Sequence, residues 1–241
     1  MNGTLSLAKA EIIRLRRNKR YLIFTLALPV LLYLAFGKST GTAYGVPFKA
    51  FYMVTMATLG GFSGVLTGNA QRISQEMKDG WIRQLRLTPL PASAYVVSKI
   101  ITALATAVPV VLVVLVLGRF YGGVHMAAWQ WVAVAVTVWF GSTIFAALAV
   151  AIGYKFQPDQ VQALSVMLYL LFAFLGGLYF PLTGAWRVIG EALPTYAVAK
   201  ISAAVIQNAS VSAGLAIGLV VWLAVFAGLA TLAVRSSAET L

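Results

Sequence analysis

The sequence predicts an all-α integral membrane protein: six transmembrane helices, an N-terminal interfacial helix, a short amphipathic helix on the cytoplasmic face and an outer re-entrant hairpin. Three observations predict it. Of 241 residues 61% are hydrophobic and only 10% charged, against roughly 25% charged in soluble domains, so the chain has too little polar surface to wrap an aqueous globule. Six apolar runs approach the ~20 residues that a helix needs to cross about 30 Å of hydrocarbon. Lys and Arg, 18 of the 24 charged residues, gather on one side of those runs.

The first twenty residues read as a helix lying in the headgroup layer. Leu5, Ala8, Ile12 and Leu15 recur on one face, with Lys9, Arg16 and Arg20 elsewhere, which suits anionic lipid on the polar side. A secretory signal is disfavoured, because the following apolar run is long and no small-residue cleavage site follows it. The chain is expected to turn near Asn18 into the first span.

The spans run from about Tyr21 to Gly37, Phe48 to Asn69, Ile100 to Gly118, Trp129 to Gly153, Val161 to Phe180 and Val211 to Val234, in a single domain over residues 1–241. Lys9, Arg14, Arg16, Arg17, Lys19 and Arg20 precede the first. Arg72, Lys78, Arg83, Arg86 and Lys99 follow the second, Lys155 the fourth and Arg235 the sixth. Lys38, Lys49, Arg119, Arg187 and Lys200 fall on the other side. The positive-inside rule therefore places both termini, and the loop 71–99, in the cytoplasm.

Most apparent catalytic signals fail on inspection. "GKST" at Gly37–Thr40 ends like a P-loop but has Leu32 where the motif needs its first Gly, and it falls on the outer face. There is no cysteine and one histidine, His125, so thiolate and His-based metal sites are not expected. No G-x-S-x-G elbow occurs, and the N-x-[ST] matches at Asn2 and Asn208 carry little weight. Ionisable residues are nearly absent from the spans, with Glu11, Glu76, Asp79, Asp159, Glu191 and Glu239 at ends or in loops. Ion-driven carriers keep such groups in the bilayer as relays, so an energy source outside the chain is expected.

Small residues do recur in the spans. Gly60, Gly64 and Gly68 repeat every four residues in the second, baring a strip of backbone for close approach of another helix, within the chain in preference to a dimer partner. Gly176 and Gly177 offer a similar surface at the outer end of the fifth. Polar and aromatic groups on the same two spans, Thr55, Ser63, Asn69, Tyr169, Phe172 and Phe174, are candidates for a substrate path, with plain interhelical bonding as the alternative.

Between the second and third spans lies "EMKDGWIRQLRLTPLP", residues 76–91. Met77, Trp81, Ile82 and Leu85 make one apolar stripe if the segment is helical, with Lys78, Asp79, Arg83 and Arg86 largely off it. Gly80 permits a sharp bend, Thr88-Pro89 stops the helix, and Pro91 with Ser93 suits a restart. From the residues alone this knob is either an interfacial loop or a docking element for a cytoplasmic partner. The outer segment 181–210 is too long for a turn and too apolar for a loose loop. Trp186, Val188, Ile189, Leu193 and Tyr196 suit a hairpin dipping into the outer leaflet where protein shields its backbone.

"QEMKDGWIRQLRLTPLPASAYVVSK" resembles the segment of type-2 permeases of ATP-binding-cassette (ABC) exporters that reads E-x-x-x-G-[TW]-x-x-x-L-x-x-[ST]-P-[LM]. Glu76, Gly80, Trp81, Leu85, Thr88, Pro89 and Leu90 match it, Trp81 standing where Thr is commoner. A second similarity is the aromatic-Pro-[LI] end of span five and a later Pro-[TL]-[TY] element, here Phe180, Pro181, Leu182, Pro194, Thr195 and Tyr196. The resemblance covers nearly the whole chain.

It implies a bacterial cell-membrane permease that exports a hydrophobic or amphipathic substrate: a drug, antibiotic, lipid or lipid-linked glycan. It implies that residues 76–87 form a coupling helix seated on a separate ATPase subunit, which holds ATP and Mg, while this chain binds no cofactor and catalyses nothing. Glu76, Gly80, Trp81, Ile82, Arg83, Leu85 and Arg86 are the coupling residues it implies, in a homodimer or a heterodimer with a similar permease. An ion-gradient-coupled carrier and a membrane-embedded enzyme are the alternatives, the latter short of any acidic pair beyond Glu76 and Asp79.

Overall fold

A computed structural model describes residues 9–10, 12–14, 17–81, 84 and 92–239. The expectations placed on Leu5, Ala8, Leu15, Arg16, Ile82, Arg83, Leu85 and Arg86 lie outside these described residues. Within them the fold is almost entirely helical. Five helices are long and apolar enough to cross a membrane, and a bent pair brings the count to as many as six.

Helix α1 (Lys19–Phe36) begins where the sequence predicts a turn. Asn18 leaves the helical region (φ −86°, ψ 68°) and its side chain accepts from Tyr21 N at 3.1 Å, satisfying one of the donors that every helix start leaves open. Its apolar stretch, Tyr21–Phe36, is shorter than the five long apolar helices and is not one of them. The 18 residues of α1 reach about 27 Å, close to the hydrocarbon thickness. A short antiparallel hairpin, β1 (Thr42–Ala43) and β2 (Val46–Pro47), follows on the outer side with Ala43 opposite Val46. Tyr44 and Gly45 both take positive φ at its tip, the backbone that a two-residue hairpin turn demands.

Helix α2 is the axis of the molecule and the main departure from the sequence reading. It does not end near Asn69 but runs unbroken over Phe48–Lys78, 31 residues, about 46 Å at 1.5 Å per residue. Its last ten residues, Asn69–Lys78, are polar on average, yet Asn69, Ala70, Ile73, Ser74 and Glu76 are buried. Neighbouring helices cover them, which a hydropathy reading cannot register. A single π-turn, Gly64–Gly68, interrupts the α-helical pattern.

The glycine strip has the intramolecular role expected of it. A Cβ at Gly60 would meet Pro29, one at Gly64 would meet Thr25, and one at Gly68 would meet Tyr21. Residues spaced by four on α1 therefore fill gaps spaced by four on α2, running antiparallel. Backbone approach of this kind is how helices associate where lipid removes the hydrophobic drive.

Helices α3 (Ala92–Phe120), α4 (Ala128–Lys155) and α5 (Pro158–Leu175) continue the bundle. Helix α5 stops five residues before the predicted Phe180. Gly177 adopts φ +71°, and the bonds Leu178 N to Ala173 O (2.9 Å) and Gly177 N to Phe174 O (3.1 Å) close the end, a glycine-terminated helix stop. The outer segment then forms α6 (Ala185–Glu191) and α7 (Pro194–Ile206), bent by 92° from one another. Helix α7 is buried along most of its length, and Thr195 Oγ1 donates to Phe172 O at 2.8 Å, seating it against the end of α5. Helix α8 (Ala213–Glu239) closes the bundle along α4. Large apolar side chains such as Phe24, Phe120, Val132 and Val220 are exposed on the outside, as lipid-facing residues should be.

Cations at both ends of the bundle find partners within the chain. At the end bearing the β-hairpin Lys49 Nζ donates to Gly123 O at 2.7 Å, Lys38 sits over the Tyr121 ring and Lys200 over Tyr44. Burial raises the Tyr44 phenol above its usual range, opposed in part by the hydrogen bond from Leu182 N. Arg14, Glu76 and Lys99 meet at the opposite end.

Candidate functional site

Two features stand side by side at that end: a buried ionic knot at Glu76, where the 76–91 segment begins, and a cavity between α1, α2 and α5.

The knot is centred on Glu76, which is 5% exposed. Lys99, 2% exposed, approaches its carboxylate to 2.8 Å. Tyr95 Oη donates to Oε2 at 2.7 Å, and Arg14 Nη1 reaches Oε1 at 3.4 Å from an exposed position. Tyr95 and Lys99 lie one turn apart on α3, so one helix face presents both donors. The Lys99 ammonium also sits 5.0 Å from the centroid of the Tyr95 ring. Charged and hydroxyl donors of this kind replace the hydration that a buried carboxyl group loses. The knot thus ties the inner end of α2 to the start of α3 and to the N-terminal segment, and Ser74 Oγ adds a 2.6 Å bond to Phe156 O beyond α4.

Immediately beyond, Gly80 takes φ +72°. Its N–H bonds Met77 O at 3.1 Å, ending α2 with the left-handed residue that glycine tolerates best. The chain re-enters a helical turn, with Gln84 N bonded to Gly80 O at 3.2 Å. Trp81, at its start, is 41% exposed. The helix therefore breaks at Gly80, and the Trp81 side chain is partly exposed. Gly80 and Trp81 adjoin Glu76 in the structure; Ile82, Arg83, Leu85 and Arg86 fall outside the described residues.

The sequence reading put Glu76 in a loop and counted the spans nearly free of ionisable groups. Among the described residues Glu76 and Lys99 are in fact buried where these helices end. The available signal was the pairing of Tyr95 and Lys99 at i and i+4 in an otherwise apolar helix start, which requires an acceptor opposite.

The cavity holds about 510 Å³, within the range of small-molecule sites. Ser63 and Tyr169 of the candidate path line it. Tyr169 Oη lies 3.2 Å from Tyr179 Oη, and its ring rests 5.8 Å from Phe62. The other four candidates are placed elsewhere. Thr55 is fully buried and bonds Tyr52 O at 3.1 Å. Asn69 is buried with Nδ2 on Val65 O at 2.9 Å. Phe172 packs among Phe145, Trp222 and Phe226. Phe174 is 48% exposed beside Tyr179.

Residues 3–205 match the ABC-2 type transporter family. The chain belongs to that family. It is also 27% identical over 203 residues to a protein of Bacillus subtilis (strain 168), YvfS, which bears the name of a candidate transport permease; the match covers 81% of this chain and 82% of that one. As an ABC-2 protein the chain is a multi-pass membrane subunit of a transporter, not an enzyme, and its family implies a partner ATPase.

Proposed function

We propose that this ABC-2 permease moves an amphipathic or hydrophobic substrate outward under ATP drive, with residues 76–87 as the coupling helix and both termini cytoplasmic. One observation carries the reading: α2 is continuous from the outer end to Lys78 and is fastened to α3 through Glu76 and Lys99. A force applied at the knob acts at once on two spans instead of being absorbed by a slack loop.

In this scheme the partner ATPases close on ATP and Mg, and their movement displaces two knobs in a dimer of permeases, homomeric or with a similar chain. Trp81, Ile82 and Leu85 anchor in the ATPase groove, and Arg83 and Arg86 set register on its acidic rim. Glu76 acts from inside, fixing the angle at which Gly80 launches the knob. The helices then tilt between two packings, as rigid elements do in switching transitions. The cavity beside α2 is the inward end of the substrate route, and the bent α6–α7 pair shapes its outer end.

The experiment is transport in proteoliposomes containing the permease and its ATPase, with the proton and sodium gradients collapsed. Transport that continues with ATP and stops without it supports the reading; transport that needs a gradient and ignores ATP overturns it.

A further inference from the structure

We infer that a recess of about 490 Å³ at the end bearing the β-hairpin binds the phosphate of an anionic phospholipid head, held between the ammoniums of Lys38 and Lys49. This site is separate from the cavity beside α5, and it does not depend on the direction or the energy source of transport.

Three segments of the chain supply it. Lys38 follows the end of α1 by two residues, Lys49 is the second residue of α2, and Tyr121 comes directly after α3. Each stands where a span leaves the hydrocarbon, the level at which lipid headgroups lie and at which aromatic rings and snorkelling lysines gather. Phe36 and Phe120, the last residues of α1 and α3, are 52% and 83% exposed. Acyl chains therefore have apolar surface to lie on beside the recess.

Lysines at span ends commonly just reach into water. Here both meet neutral partners around one recess. Lys49 Nζ donates to Gly123 O at 2.7 Å, and Lys38 Nζ sits 4.1 Å from the centroid of the Tyr121 ring. A carbonyl and a ring aim the two ammoniums without cancelling their charge, and no Asp or Glu lines the recess. Among the described residues, the formal charges at this end are Lys38, Lys49, Arg119, Arg187 and Lys200 against Glu191 alone. Arg187 already engages Glu191 at 2.8 Å.

The start of α2 lines the same recess, and its first turn has no side-chain cap and no acidic residue. Its open amides and the positive end of the helix dipole add to the attraction for an anion. Ser39 and Thr40 bring hydroxyl donors. Pro47, Phe48 and the Tyr121 ring make part of the wall apolar, so a bare phosphate ion leaves surface uncovered that a glycerol ester fills. A zwitterionic head brings its own cation into a region already in positive excess, which disfavours it.

The test is acetylation of the purified permease in nonionic detergent, read at each lysine by peptide mass spectrometry. The probes are phosphatidylglycerol and phosphatidylcholine with the same short chains, and glycerol phosphate. Phosphatidylglycerol is expected to slow modification of Lys38 and Lys49 at least ~5-fold, by mass action, while Lys78 and Lys155 change less than ~2-fold. Phosphatidylcholine and glycerol phosphate at the same concentration should each slow Lys38 and Lys49 less than ~2-fold. Lys49→Gln should remove the protection of Lys38, Lys49→Arg should keep most of it, and Lys155→Gln should leave it intact.

Equal protection of Lys78 and Lys155 overturns the site in favour of general attraction to a basic protein. Equal protection by glycerol phosphate overturns the lipid in favour of a free-anion site, and equal protection by phosphatidylcholine overturns recognition of the charge. If Lys49→Gln fails to fold, Lys38→Gln at an exposed residue serves instead: phosphatidylglycerol protection of Lys49 that persists unchanged refutes the shared site, and its loss supports it.

Discussion

The hydroxyl of Tyr21 donates to the carbonyl of Gly64 at 2.6 Å, across the boundary between the first and second spans and at the first residue of the π-turn. The same hydroxyl fills the space over Gly68. One side chain of α1 thus supports both ends of the irregular turn, and the strip Gly60, Gly64, Gly68 is the groove that admits it. Tyr21→Phe should cost about 1 kcal/mol through the lost bond. Gly68→Ala should cost more, ~2 kcal/mol, because its methyl meets the Tyr21 ring as well as the hydroxyl. Thermal unfolding in detergent, run as a double-mutant cycle, should find the two changes non-additive, since each acts on the same contact.

Breaking one side of the buried knot should be far worse than losing an exposed pair. Lys99→Met leaves Glu76 buried with Tyr95 and the longer, exposed contact to Arg14, and Glu76→Gln removes the carboxylate facing Lys99; each should destabilise by roughly 3–5 kcal/mol. Glu76→Gln combined with Lys99→Met should recover most of that loss. Arg14→Ala, at a position whose side chain is 67% exposed, should cost less than ~1 kcal/mol. Chemical or thermal unfolding of the purified permease checks the order.

Gly80→Ala should cost ~1–2 kcal/mol, because φ +72° places a Cβ against the following carbonyl. Apart from Gly80 and its chain neighbours, no described atom lies within 4 Å of a Cβ built there, so the effect is local backbone conformation and not a clash with packed side chains. Gly80→Asn, which tolerates the left-handed region, should be milder. The ranking Gly, Asn, Ala in both melting temperature and coupled ATP hydrolysis is the expected outcome.

Five of the six predicted spans coincide with helices long and apolar enough to cross a membrane, because hydropathy reports such helices directly, and the glycine strip was legible because its spacing matches a helix face. Gly80 was legible as a bend for the same local reason, that only glycine adopts its conformation freely. What escaped was the continuation of α2 to Lys78. Gln71, Arg72, Gln75 and Glu76 look solvated in one dimension, and only the contacts with α3 and α4 turn Ile73, Ser74 and Glu76 inward. Of the candidate path, Ser63 and Tyr169 reach the cavity whereas Thr55 and Phe172 spend their polarity and bulk on the core. Helix rotation decides that difference, and residue type does not encode it. Arg72 and Gln162 were missed as lining residues because each lies near a span end, where a polar side chain needs no explanation.

The central claim is that work enters through the knob, and the direct test is substrate-stimulated ATP hydrolysis by the reconstituted complex carrying Trp81→Ala with Leu85→Ala. Two buried anchors at ~2 kcal/mol each imply an association weaker by roughly 10³-fold. The account predicts that stimulation and transport are both abolished while the permease keeps its wild-type melting temperature. Stimulation and transport at wild-type levels in that variant would contradict it.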